Sequence, residues 1–138
     1  MNIQSITRRA RGIAPALVLI LIACDAANII GPENQLEVGN VADTFQWQVT
    51  ALDQVSQPLT YTWTTTGSVI NVNQSSSSVG GGSATLSVVD ASGSQVYLSS
   101  LVDDSGTFQT SQGAPGTWTI TVTLSEVTGG LNFRLEKP

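Results

Sequence analysis

Histidine is absent from this 138-residue chain. That removes the imidazole used to activate serine or cysteine nucleophiles, and with it the commonest zinc ligand. Cysteine occurs once, at Cys24, so an internal disulfide cannot form. Lysine also occurs once, at Lys137, where nothing in the sequence desolvates it into a base. Positive charge is scarce: five cations stand against ten carboxylates, and Arg8, Arg9 and Arg11 sit together near the start. From Cys24 onward only Arg134 and Lys137 oppose all ten carboxylates, a formal charge of −8. Nucleic-acid binding, which needs Lys and Arg to neutralise phosphates, is therefore not expected. Electrostatic docking on anionic lipid is disfavoured for the same reason. Long apolar runs are lacking too. Residues 13–23 form an 11-residue run with Pro15 near its start, against the roughly 20 residues of a membrane-spanning helix.

What is present at the start is a basic cluster, a short apolar run and a small residue before a cut, the pattern of a secretory signal peptide. The Arg8-Arg9 pair is followed by Arg11 and Gly12, not by apolar residues, so general secretion is expected and not twin-arginine export. Leu21-Ile22-Ala23-Cys24 closes the apolar run and resembles the lipobox of bacterial lipoproteins. The resemblance implies that residues 1–23 are a signal helix that is removed, and that Cys24 carries palmitate and becomes the new N-terminus. It places the protein in the bacterial cell envelope, on the outer side of the cytoplasmic membrane or in the outer membrane. Contact with the membrane then runs through the lipid on Cys24 alone.

Residues 24–37 have no period and contain Gly31-Pro32-Glu33-Asn34, which is loop chemistry. They read as a flexible tether reaching about 40 Å when extended. From there, residues 38–138 read as one domain, and from Asp43 the pattern changes to period 2, the mark of strands with one wet face. Phe45, Trp47, Val49 and Ala51 alternate with Gln46, Gln48 and Thr50. After a break at 54–58, Leu59, Tyr61 and Trp63 alternate with Thr60, Thr62 and Thr64. Ile70 and Val72 follow Gly67, and the Ser/Gly stretch 75–82 reads as a mobile loop. Ala84, Leu86 and Val88 are expected to face inward, as are Val96 and Leu98, leaving Tyr97 exposed. Asp90-Ala91-Ser92-Gly93 and Asp103-Asp104-Ser105-Gly106 read as turns, each with a side-chain acceptor first and Gly last. Phe108 sits on a short strand. Trp118, Ile120, Val122 and Leu124 alternate with Thr117, Thr119, Thr121 and Thr123, and Gly129-Gly130 joins them to Leu131, Phe133 and Leu135 as a hairpin. Trp118 to Leu124, Phe133 and Leu135 should share one buried face, with Thr119 and Thr121 wet.

About eight short strands without helical period predict an all-β fold, a single antiparallel sandwich of immunoglobulin-like or jelly-roll-like form. Leu59-Thr60-Tyr61-Thr62-Trp63 with Pro115-Gly116-Thr117-Trp118-Thr119-Ile120-Thr121-Val122 resembles the strand pair of PKD-type immunoglobulin-like domains. The second stretch, with residues 84–93 before it, is similar to bacterial pre-peptidase C-terminal domains. Both resemblances imply an extracellular, non-catalytic β-sandwich. No Gly-Asp-Gly follows the Trp as the PKD pattern requires, so the architecture alone is carried over and no functional residue.

Three chemistries are weighed against plain structural roles. Asp90, Asp103, Asp104 and Glu126 offer carboxylates for a paired-acid hydrolase, but all fall at strand ends or turns, where turn formation and solubility explain them. Asp90, Asp103 and Asp104 are also hard oxygen ligands on loops, weak candidates for calcium without the Asp-x-Asp-x-Asp spacing. Trp47, Trp63, Trp118 and Tyr61 offer a sugar-stacking platform, yet each stands in the apolar register of its strand, where core packing accounts for it. The reading is a lipid-anchored, non-enzymatic envelope module with no cofactor, binding or structural in role, with a protein or polysaccharide partner in the envelope. The alternatives are a surface carbohydrate-binding module and, third, a carboxylate hydrolase.

Overall fold

A computed structural model of the chain describes residues 28–138. The expected signal helix at 1–23, the lipobox residues Leu21, Ile22 and Ala23, and Cys24 itself lie outside the described residues. The fold is all-β and antiparallel. Its seven strands are β1 (Glu37–Val41), β2 (Thr44–Thr65), β3 (Asn71–Gln74), β4 (Ser77–Val89), β5 (Gln95–Ser100), β6 (Gly106–Gln109) and β7 (Gly116–Glu136). Seven replace the expected eight because two boundaries read from the sequence do not exist, while β1, which no alternation announced, is added. The break at 54–58 lies inside β2, and the Gly129-Gly130 hairpin lies inside β7.

These two long strands pair along their whole length, from Thr44 opposite Glu136 to Thr65 opposite Gly116. A straight strand of β2's length would extend about 70 Å, yet the amide of Asp43 before it bonds the carbonyl of Thr64 near its end at 3.1 Å. The pair is therefore folded in half. The fold comes from register shifts, each one extra residue in one strand, and such bulges bend a strand. Ala51, Gln54 and Glu126 adopt left-handed backbone angles within this stretch. Side chains replace the ladder bonds lost there: Thr128 Oγ1 accepts from the Gln54 amide, and Ser56 Oγ from the Glu126 amide.

Each half of the folded pair nucleates one layer of a sandwich. The N-terminal half of β2 and the C-terminal half of β7 are flanked by β1 on one side and by β3 then β6 on the other. The C-terminal half of β2 and the N-terminal half of β7 are flanked by β4 and β5. Between the layers Phe45, Trp47, Val49, Leu131, Phe133 and Leu135 meet Trp63, Trp118, Ile120, Val122, Leu86 and Val88, all buried. Phe45 packs on Tyr61 at 5.4 Å between ring centroids, and Trp47 Nε1 donates to the Tyr61 hydroxyl at 3.0 Å. The predicted face from Trp118 to Leu135 is buried as expected. Thr119 and Thr121 are half-buried, because they stand on a strand with neighbours on both sides.

Other departures trace to the same bulges. Ala51 points out and Leu52 points in, because the extra residue slips the alternation by one. A bulge at Val96, where Val88 pairs with Tyr97 but Val89 with Gln95, has the same effect on β5. Leu98 is consequently 59% exposed, while Tyr97, the residue expected outside, packs against the core. The 75–82 stretch is no loop over most of its length: from Ser77 it is the first part of β4, paired with Gly130 and Thr128 of β7. Gly82 permits this, since its φ of +79° suits glycine, and a Cβ there would run into the Glu126 carbonyl.

Candidate functional site

The outward faces of the two layers differ in what their polar side chains do. On the β1–β6 layer, amides bond one another across strands. Gln109 Nε2 donates to Asn71 Oδ1 at 3.0 Å, Thr107 to Asn73 at 2.8 Å, and Asn132 Nδ2 to Gln48 Oε1 at 3.1 Å. Asn73 also reaches Glu136, which pairs with Arg134 at 3.1 Å. This face satisfies itself. A cavity of about 200 Å³ beside Gln48, Thr50, Ser76 and Asn132 is uncharged, with Val49 and Leu131 also in its lining.

The other layer presents threonine. On β7, Thr117, Thr119, Thr121 and Thr123 point outward, because Trp118, Ile120 and Val122 between them are buried. On β2, Thr64, Thr62 and Thr60 stand beside the first three of these. On the opposite side of β7, Thr85 and Ser87 of β4 stand beside Thr123 and Thr121. The residues completing the face on β5 are neutral as well: Ser100, Leu98 and Gln95. Among the described residues, no Asp, Glu, Lys or Arg stands on it. Among the described residues, none of these eight threonine hydroxyls bonds another side chain or backbone group. Off this face, the hydroxyls of Thr50, Thr65, Thr66, Thr107, Thr110 and Thr128 are each hydrogen-bonded within the fold, and that of Thr44 is not.

A second site lies where the segment that begins at Asn28 meets the domain. Asn28 bridges Val55 at the bend of β2, its carbonyl accepting from the Ser56 amide at 2.9 Å and its side chain donating to the Asp53 carbonyl at 3.0 Å. A short 3-10 turn, Pro32–Asn34, then seats the buried Asn34 on the carbonyls of Thr50 and Ala51. Residues 28–35, expected within a flexible tether, are thus docked on the domain. A cavity of about 350 Å³ lies here, with Ile29, Glu33 and Asp53 at its walls.

The calcium candidates do not converge. Asp90 precedes β5 and Asp103 and Asp104 follow it, so the strand's length separates them. No group of three metal-ligating side chains occurs among the described residues. Asp103 and Asp104 accept from Ser100 and Ser99, at 3.1 and 3.0 Å. Asp90 is buried, and both its oxygens are engaged: Oδ1 by the amides of Ser92 and Ser94 and the Ser92 hydroxyl, Oδ2 by the Ala114 amide at 2.8 Å. The Ala114 amide, then the Ser92 hydroxyl and the Ser94 amide, hold its carboxyl down to about 2. It knots the β4–β5 turn to the start of β7. Glu126 sits at the bend of β7.

The proposed sugar platform is core. Trp47, Trp63 and Trp118 are at most 1% exposed, and Tyr61 is half-buried against Phe45. Each indole N–H has an acceptor: Tyr61, the Val41 carbonyl and the Ala114 carbonyl. Both strict threonine alternations were visible in the sequence as wet strand faces. Their assembly into one array was not, because it depends on which strands pair. No family model matches this chain, and no curated protein matches it.

Proposed function

We propose that this chain is a lipid-anchored, non-enzymatic lipoprotein of the bacterial envelope whose β-sandwich is a binding module held close to the bilayer. The observation that carries the reading is the closeness of two features. Leu21-Ile22-Ala23-Cys24 has lipobox form, and the chain is already docked at Asn28, four residues beyond the cysteine. At roughly 3.4 Å per residue the linking segment reaches about 14 Å. A lipid on Cys24 therefore holds the β2–β7 bend near the headgroups and leaves the threonine face free along the side of the domain. Two or more acyl chains are needed for stable anchoring, at about 0.8 kcal/mol per buried methylene. The negative domain charge gives anionic lipid no hold of its own, so the anchor has to supply it.

The test is radiolabelled palmitate incorporation and detergent partitioning of the full chain against Cys24→Ser. The wild type should label and enter the detergent phase, and the variant should do neither. Equal labelling, or a wild type wholly in the aqueous phase, overturns the anchor.

A further inference from the structure

We propose that the threonine face of β2, β7 and β4 binds ice, by holding a layer of water that matches the crystal surface. The inference deepens the binding-module reading and rests on it for the choice of face, but not on the lipid at Cys24.

Three observations carry it. The first is register. Thr60 pairs with Thr121, Thr62 with Thr119 and Thr64 with Thr117, so threonine positions recur on a grid and not at random. Strand geometry sets that grid at about 4.8 Å between strands and about 6.7 Å along each strand. This rectangular repeat is close to the oxygen repeats on the prism faces of ice. The second is hydrogen bonding. The eight hydroxyls on this face are free of protein partners, whereas on the outer face of the other layer Asn71, Asn73, Gln48 and Asn132 bond across strands. Each free hydroxyl can fix a water, and each γ-methyl beside it keeps that water from collapsing into a disordered shell. The third is charge. None of the nine carboxylates among the described residues stands on this face. An ion holds its own hydration shell tightly and would break a lattice of ordered water. A neutral, hydroxylated, repeating surface suits a neutral, repeating ligand.

A glycan fits less well. Sugar sites combine stacking rings with directional polar groups in a concavity, and the rings here are inside. Sheet twist, about 20–25° per strand, limits the lattice match to rows nearest the central strand. Thr119 and Thr121 of β7 are therefore the positions to change.

Ice recrystallisation tests this with the purified full chain in non-ionic detergent, against detergent alone. The variants are Thr119→Lys with Thr121→Lys, and Gln46→Lys on the opposite outer face, each checked for folding by circular dichroism. The wild type should arrest crystal coarsening at micromolar concentration. The double variant should need roughly tenfold more or worse, and Gln46→Lys should match the wild type. Wild-type chain that coarsens like detergent alone overturns the proposal, as does equal loss in Gln46→Lys. Threonine-dependent retention on cellulose or chitin without any effect on ice overturns it in favour of a neutral glycan. Threonine-dependent self-association does so in favour of a second copy. Lipidation does not enter this readout, so its failure and the failure of the anchor are separately visible.

Discussion

Asp43, the residue before β2, accepts hydrogen bonds from Thr66, the residue after it. The Thr66 amide lies 2.6 Å from Oδ1 and its hydroxyl 2.9 Å from Oδ2, with the Thr65 hydroxyl 3.0 Å from Oδ1. Lys137 joins by donating to the Thr66 hydroxyl at 2.9 Å. One carboxylate thus clasps both ends of a folded strand. Asp43→Ala should lower the urea midpoint without changing the m-value. An unchanged midpoint would mean the bend holds itself.

Asp90 sets an acid limit. Its carboxyl is held at about 2 in the fold against an ordinary 3.8, chiefly by the Ala114 amide. A lowered folded value stabilises fully above the unfolded one and is lost as pH falls through the folded one. Wild-type stability should therefore decline as pH drops from about 3.8 towards 2. Asp90→Asn should be less stable at neutral pH and should lose that part of the acid slope. Parallel slopes in urea melts across this window would count against the assignment.

Trp118 is fully buried, edge-on to Trp63 at 6.1 Å between ring centroids. Trp118→Ala should cost about 3–5 kcal/mol, the usual loss for a large aromatic replaced by alanine. A cost under about 1 kcal/mol would be incompatible with that burial.

Gly82→Ala distinguishes a paired strand from a free loop. Alanine at this positive φ meets the Glu126 carbonyl, so destabilisation beyond about 1 kcal/mol is expected. A loop would tolerate the change, and thermal melting decides between them.

The sequence made the alternation legible wherever period 2 ran unbroken, as in 117–124 and 59–64. It failed wherever one residue was added. Nothing about Ala51, Gln54 or Val96 as residue types announces a bulge, since a bulge is a relation between two strands. Glycine misled in the other direction. Gly129-Gly130 reads as a hairpin turn and the glycines at 80–82 as part of a mobile loop, but at least Gly82 serves close backbone approach within a bent sheet. The threonine face was half legible: its rows were on the page, their alignment was not. Asp90 was recognised as a turn acceptor, while its bond to Ala114, 24 residues on, needed the fold.

Because β2 and β7 belong to both layers, no part of the sandwich has a backbone boundary at which melting can stop. Pulling β7 from β2 in one layer carries through the bend into the other, and the pairing from Thr44–Glu136 to Thr65–Gly116 is lost as one event. Amide hydrogens on both halves of these strands should then exchange with a single opening free energy, that of global unfolding. The same arrangement makes folding wait on contacts between the two ends of the domain, a long search in sequence that slows β proteins. Once closed, the domain should offer a protease no partly opened layer to enter.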